Sequence, residues 1–327
     1  MTINYHNFWD FIGNENIIHY WQNCLRTRKF VHTYLFIGPE HLGKSFLVSK
    51  LVAAILCIQP NADGAPCGSC APCQQLAKNI HPDYYQLLPD SEKDTISIER
   101  VRQWQKSIAT KPFYNSYKIG FIEEVDKMSE EAANALLKTI EEPVGQTIIF
   151  ITGIDENNIL PTIKSRGQLF RWRRVNNQIL FKHFAYDCNE LSATRRDVVY
   201  CADGRPGRVI QLLADPRAQL RELNFVQTII DLILATSAQK MTLLDNLSKI
   251  KDGTYQLENI IERTAIIARC LLGRKILGSS YYDSLIAGRD LEWPNLLSLI
   301  NKLQNMKERK AYNQNQKLVL EDLFLMT

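Results

Sequence analysis

Apolar and polar positions divide the chain into two regimes. From about residue 30 to 172, short apolar runs alternate with stretches of helical spacing, and beyond 175 only helical spacing remains. The runs at 34–37, 84–88, 118–122, 147–152 and 168–172 read as buried strands. Between them, 15–29 sets Ile17, Ile18, Trp21 and Leu25 on one helical face, 45–56 is apolar with few breakers, and a helix enters through Ser97. Another is delimited by Ser129 as cap, Glu130 and Glu131 at its positive end, and Pro143 as stop. Strands alternating with helices predict a parallel sheet covered on both faces. Residues 178–213 read as short helices with a turn at Gly204-Arg-Pro-Gly207. Three stripes follow: Leu223, Val226, Ile230, Ile233; Leu257, Ile260, Ile261, Thr264, Ile267; and Leu296, Leu297, Ile300, Leu303. The expected fold class is α/β then all-α, with an α/β domain at 1–172, a small helical domain at 173–212 and a helical domain at 213–327.

Composition changes this picture little. The 327 residues are 45% hydrophobic and 23% charged, ordinary for a globular protein of two or three domains. No apolar run reaches the length of a membrane span. The opening MTINYHNFWDFIG is polar and acidic, so no secretion leader is read and a cytoplasmic protein is expected. A net charge of +4 permits nucleic-acid contact without requiring it.

Four of the eight cysteines, Cys57, Cys67, Cys70 and Cys73, crowd one turn-rich segment, and without a leader this favours metal over disulfides. Four thiolates suit a closed, structural, tetrahedral zinc site. The C-x-x-C-x-x-C run also fits iron–sulfur ligation, but the x₃-Cys-Pro continuation is missing; unliganded thiols are the third reading. Cys24, Cys188, Cys201 and Cys270 are isolated and read as core thiols.

The apolar run at 34–37 leads into Gly38-x-x-x-x-Gly43-Lys44-Ser45 and then a helix, the order of a phosphate-binding loop. Its glycines let backbone N–H groups curl around phosphate oxygens at a helix N-terminus. Lys44 would reach the β and γ phosphates of ATP or ADP, and Ser45 would ligate Mg²⁺. A glycine turn capping a helix is the plainer alternative. The run at 118–122 ends in Glu123, Glu124 and Asp126, where strand-end acids hold Mg²⁺ opposite such a loop. A solvated acidic turn would read the same way.

Taken together, four segments resemble the AAA+ clamp-loader ATPases: His32 to Pro39 running into the phosphate loop, the four-cysteine module after the loop's helix, SEEAANALLKTIEEP at 129–143, and LPTIKSRGQ at 160–168. The resemblance covers about residues 1–210, and the helical remainder is similar to the family's oligomerising collar. It implies a nucleotide domain with a zinc knuckle, a helical lid and a collar, in a ring-like heteropentamer of clamp-loader subunits that places a sliding clamp on primer-template DNA in a bacterial cytoplasm. It further implies that Glu123 and Glu124 are the Walker B acids, that Thr152 lies near the sensor position, and that Arg166 is an arginine finger acting on a neighbour's nucleotide. Two positions depart from the family. Glu123 stands for the usual Asp, which changes the reach toward Mg²⁺, and Gly167 stands for the motif Cys. The turn Gly204-Arg-Pro-Gly-Arg208 resembles the family's non-hydrolysing members, whereas the intact phosphate loop also suits an ATP-hydrolysing one.

Other readings remain at this point. A kinase or transferase would need an acceptor-binding motif, and none is found. A plain DNA-binding protein could use Lys164, Arg166, Arg171, Arg173 and Arg174, five cations in eleven residues, although a solvated basic face reads equally well. The nearest preceding acids, Asp155 and Glu156, lie about ten residues before Arg166, so its guanidinium is expected to be exposed and unpaired.

Overall fold

In the computed structural model, the described residues are 8–91, 93–114, 117–185, 193–249, 257–277, 293–308 and 316–325. The chain forms two compact units, one of residues 1–183 with 205–208, the other of 184–204 with 209–327. Cys188 and the side chain of Cys270 lie outside the described residues.

The first unit is built on a five-stranded sheet in the order β2-β3-β4-β1-β5, every pairing parallel. Its strands are β1 (Thr33–Ile37), β2 (Tyr84–Leu87), β3 (Lys118–Ile122), β4 (Thr147–Gly153) and β5 (Gln168–Arg171). The helices between them are α1 (Glu15–Thr27) before β1, α2 (Lys44–Leu56) and α3 (Ala71–Ala77) after it, α4 (Ile98–Ile108), α5 (Glu130–Glu141) and the single turn α6 (Pro161–Lys164). β1, β3 and β4 are buried along their whole length, which is why they read as unbroken apolar runs. Helix α3 was not legible as a helix among the prolines and cysteines around it. Pro72 falls in its first turn, where a proline costs no hydrogen bond.

The pleat sorts the core by side-chain type. On one face Tyr34, Phe36, Phe150 and Phe170 meet Trp21 of α1, whose ring centroid lies 4.5 Å from that of Tyr34 and 5.7 Å from that of Phe150. On the other, Leu35, Ile37, Ile149 and Ile151 pack against Trp104 of α4 and Leu136 and Ile140 of α5. Lys118 is buried at the start of β3. Its amine donates to Thr110 Oγ1 and the Lys111 carbonyl and lies 3.9 Å from Asp83, which itself accepts the Phe113 and Tyr114 amides. Lys50 of α2 holds the segment before α1: its Nζ donates to the Phe8 carbonyl at 2.7 Å and sits over the rings of Phe8, Phe11 and Phe46.

The second unit is helical throughout its described residues. It contains α8 (Ala193–Ala202), most of α9 (Pro206–Ala214), α10 (Pro216–Leu234), α11 (Ser237–Lys249), α12 (Leu257–Leu277) and the helices Trp293–Glu308 and Gln316–Leu325; α7 (Asn177–Ala185) precedes them. Val226, Ile230 and Ile233 are buried as expected, with Leu223 half-buried; so are Ile260, Ile261, Thr264 and Ile267. The last stripe needs correction. Leu297 is exposed and Leu299 takes the inward place beside Leu296 and Leu303, because the buried face follows the i, i+3, i+7 positions. A buried ion pair joins Glu222 of α10 to Arg263 of α12, and Arg263 also donates to the Cys201 carbonyl of α8.

The fit of α4 on β3 generates a stability prediction. A Cβ on Gly120 would stand 2.3 Å from Trp104 Cζ2 and 2.4 Å from Ile108 Cδ1. Gly120→Ala should destabilise the sheet unit by about 1–3 kcal/mol, read as a lower urea midpoint; an unchanged midpoint would contradict the close approach.

Candidate nucleotide and metal sites

The sheet order places the phosphate loop at a topological switch. β1 sits between β4 and β5, so the carboxyl ends of β1, β4 and β3 meet at one crevice. Register carries this to individual residues: Ile37 pairs with Gly153, and Ile122 with Ile151, which sets Glu123 beside Thr152. The loop leaves β1 with Gly38 N donating to the Gly153 carbonyl and re-enters a helix at Gly43, whose φ of 96° favours glycine. Trp172 backs the loop, because a Cβ on Gly38 would meet its carbonyl at 2.4 Å.

Lys44 is nearly buried, and its amine donates to the carbonyls of Gly38 and Pro39, the latter at 2.7 Å. Burial pushes its pKa down to about 8, against the opposing pull of Glu40, Asp126, Glu124 and Glu123. The Ser45 hydroxyl donates directly to Glu123 Oε1, so the longer side chain standing for Asp still reaches the loop's serine. The other two acids are differently engaged. Glu124 adopts a left-handed φ of 54°, donates its amide to Thr152 Oγ1 at 3.2 Å and pairs with Lys127 at 2.8 Å. Asp126 accepts the amides of Ile154 and Asp155, so it shapes the loop after β4.

One partner of the loop was missed from sequence. Gly207, at the start of α9, donates its amide to the His41 carbonyl at 2.9 Å. Arg205 and Arg208 therefore lie near His41; burial, helped by Arg208, Arg205 and Lys44 and opposed by Glu40, holds the His41 imidazole below its ordinary pKa. The turn at 204–208 was visible in the sequence, but nothing in spacing tied it to a loop more than 160 residues earlier.

Arg166 lies elsewhere. It precedes β5, and the register of Gln168 with Tyr34 puts it at the amino end of the sheet, whereas the phosphate loop follows the carboxyl end. Six residues of strand rise separate the two levels, about 20 Å. The expectation that it has no carboxylate partner is overturned: its Nη2 lies 2.8 Å from Glu141 Oε1, at the far end of α5. Glu156, the acid nearer in sequence, instead binds Arg171 bidentately at 2.7 and 2.8 Å. Lys164 donates to the Glu156 carbonyl. Three of the five cations in 164–174, Lys164, Arg166 and Arg171, are thus engaged within the chain, although Arg166, Arg171 and Arg173 remain exposed.

The four cysteines come together. Their sulfurs all lie within 4.8 Å of one another, with Cys57 3.6 Å from Cys67 and 3.9 Å from Cys70. Four ligands at the zinc–sulfur distance would stand about 3.8 Å apart at tetrahedral angles. The Cys67 amide donates to Cys57 Sγ and the Cys70 amide to Cys67 Sγ. Amides and the Ser69 hydroxyl push the Cys67 thiol down to about 6, while burial pushes Cys57 and Cys73 up. The donor set and spacing can hold a metal ion.

A protein-family model described as DNA polymerase III, delta subunit matches residues 13–176, half of the chain. The chain belongs to this family. DNA polymerase III subunit delta' of Pseudomonas aeruginosa is 37% identical over 154 residues, 46% of this chain and 47% of that one. The Escherichia coli subunit delta' is 27% identical over 191 residues, 58% of this chain and 57% of that one. Subunit tau of Bacillus subtilis is 32% identical over 173 residues, 53% of this chain and 30% of that one. The chain spans about half the length of the delta' relatives it matches. Among solved structures, a gamma subunit-related protein from Thermotoga maritima aligns over 94% of this chain and 97% of its own, with 16% identity and a TM-score of 0.41. The family match takes in the phosphate loop, the cysteines and Arg166; it stops before Arg205. No helix among the described residues is long and apolar enough to cross a membrane.

The buried amine makes stability depend on pH. Lys44 titrates near 10.5 when unfolded and about 8 when folded, so between these values the folded state binds fewer protons and stability rises with pH. Below pH 8 the full cost of burying the charge is present. Lys44→Met should therefore be more stable than the parent at pH 7.5, by a margin that narrows at pH 9.5 in paired urea titrations; a constant margin would mean an ordinary pKa.

Proposed function

We propose that the chain is a delta-prime subunit of a bacterial DNA polymerase III clamp loader. It assists ATP-dependent loading of the sliding clamp onto primer-template DNA, in a cytoplasmic heteropentamer with delta and gamma/tau subunits. Polymerase activity lies in another subunit. In this reading residues 1–172 are the AAA+ domain, 173–212 the lid and 213–327 the collar. Gly38, Gly43, Lys44, Ser45, Glu123 and Thr152 cradle ATP or ADP with Mg²⁺, with Glu124 as the Walker B glutamate. Lys44 supplies charge to the phosphates, and Ser45 with Glu123 faces the Mg²⁺ position. Cys57, Cys67, Cys70 and Cys73 hold a structural Zn²⁺.

The observation that carries the reading is the place of Arg166. A cation about 20 Å from its own phosphate loop, by strand rise, cannot serve the nucleotide bound there. Supplied across a subunit boundary, it would stabilise the charge that develops on a neighbour's γ-phosphate. The Ser45–Glu123 contact favours a second reading, an ATP-hydrolysing gamma/tau-like motor, because the longer acid still reaches the loop's serine.

In the reconstituted complex, Arg166→Ala should assemble as the parent does, since an exposed arginine costs little stability. ATP hydrolysis and clamp loading should fall by about 10³-fold or more. A correctly assembled variant that loads at the parent rate would refute the trans role. ATP turnover by the isolated chain, lost in Lys44→Ala, would identify the motor instead.

Elemental analysis of untagged protein should find about one zinc for the four thiolates. Cys70→Ser should lose it and soften the 57–73 segment to proteolysis. Metal-free protein with four freely titrating thiols would sink the assignment.

A further inference from the structure

Arg166 is held from a second element. Its Nη1 donates to the Thr162 carbonyl at 2.9 Å and to Ser165 Oγ at 3.3 Å, both contacts from its own turn. Its Nη2 meets Glu141, the last residue of α5. Both side chains are more than a third open to solvent, so the pair adds little to stability. It is not what fixes α5. Ala132, Leu136 and Ile140 are fully buried, and Gln105 of α4 donates to the Ala135 carbonyl and Thr139 Oγ1. Glu141 therefore stands on a fixed post, and an otherwise flexible arginine leans on it. The Arg166 Nε–H has no partner among the described residues, which leaves that edge of the guanidinium open to an incoming oxyanion.

We propose that Glu141 is a positioning residue for Arg166. It does not touch nucleotide. It restricts the guanidinium to one placement at the end of α5, so that the open edge is presented without first losing rotamer freedom. The proposal rests on the finger reading above, and the two can be tested separately.

In the isolated full-length chain, ¹⁵N relaxation of the arginine Nε–H groups should report Arg166 as ordered. Glu141→Ala should drop its order parameter below about 0.6. An unchanged order parameter overturns the tether whatever Arg166 does. In the reconstituted clamp-loader complex, Glu141→Ala should lower kcat for ATP hydrolysis about 10- to 100-fold, the cost of displacing a catalytic group by about 1 Å. KM should stay as it was. Glu141→Gln, which keeps an acceptor oxygen, should recover part of the loss. Adding Glu141→Ala to Arg166→Ala should cost nothing more, since the two residues act as one. A parent-like kcat for Glu141→Ala, in a complex that Arg166→Ala slows, overturns the positioning role. A complex indifferent to Arg166→Ala overturns the catalytic use of the pair together with the finger reading.

Discussion

The first unit depends on the complete burial of β1. Apolar side chains cover both of its faces, and β4 and β5 satisfy its backbone on both edges. A parallel strand bonded on both edges needs crossover connections, and these return each following strand in the same direction. The carboxyl ends of β1, β3 and β4 are thereby forced to one side. Lys44, Ser45, Glu123 and Thr152 converge there, although they come from three separate parts of the sequence. The chemistry of the crevice is thus a by-product of how the core is closed.

Closure also explains the division of labour between the two faces. The aromatic face, centred on Trp21, packs wide rings against α1 and α2 and supports the phosphate loop from beneath. The aliphatic face packs branched side chains against α4 and α5 and supports the segment that carries Arg166. Ile163 of α6 is fully buried in this second core, so the turn before Arg166 is anchored even though the guanidinium is exposed. The exposed Arg166 thus stands on a buried neighbour three residues away.

Much of this was legible in the sequence. β3 has the predicted ends, and the other strands agree to within a residue, because fully buried parallel strands are unbroken apolar runs. The Ser129 cap is made, its hydroxyl accepting the Ala132 amide. The Gly38-to-Ser45 motif and the cysteine cluster were legible because their residues are close in sequence. What was not legible joins residues far apart in the chain. Strand order, the pairing of Arg166 with Glu141 in preference to Glu156, and the seat of Gly207 on His41 all depend on tertiary placement. Spacing also misplaced Leu297, since adjacent leucines in a helix point about 100° apart and only one can face the core.

The short segment from Arg166 to Trp172 has a further consequence. At one end it carries the guanidinium; at the other it forms the wall behind Gly38. Between them runs β5, four residues bonded along β1 and too short to bend. The two ends are therefore mechanically in series. A shift of the wall behind Gly38 would therefore be carried along β5 toward the turn that bears Arg166, while Glu141 holds the guanidinium from α5.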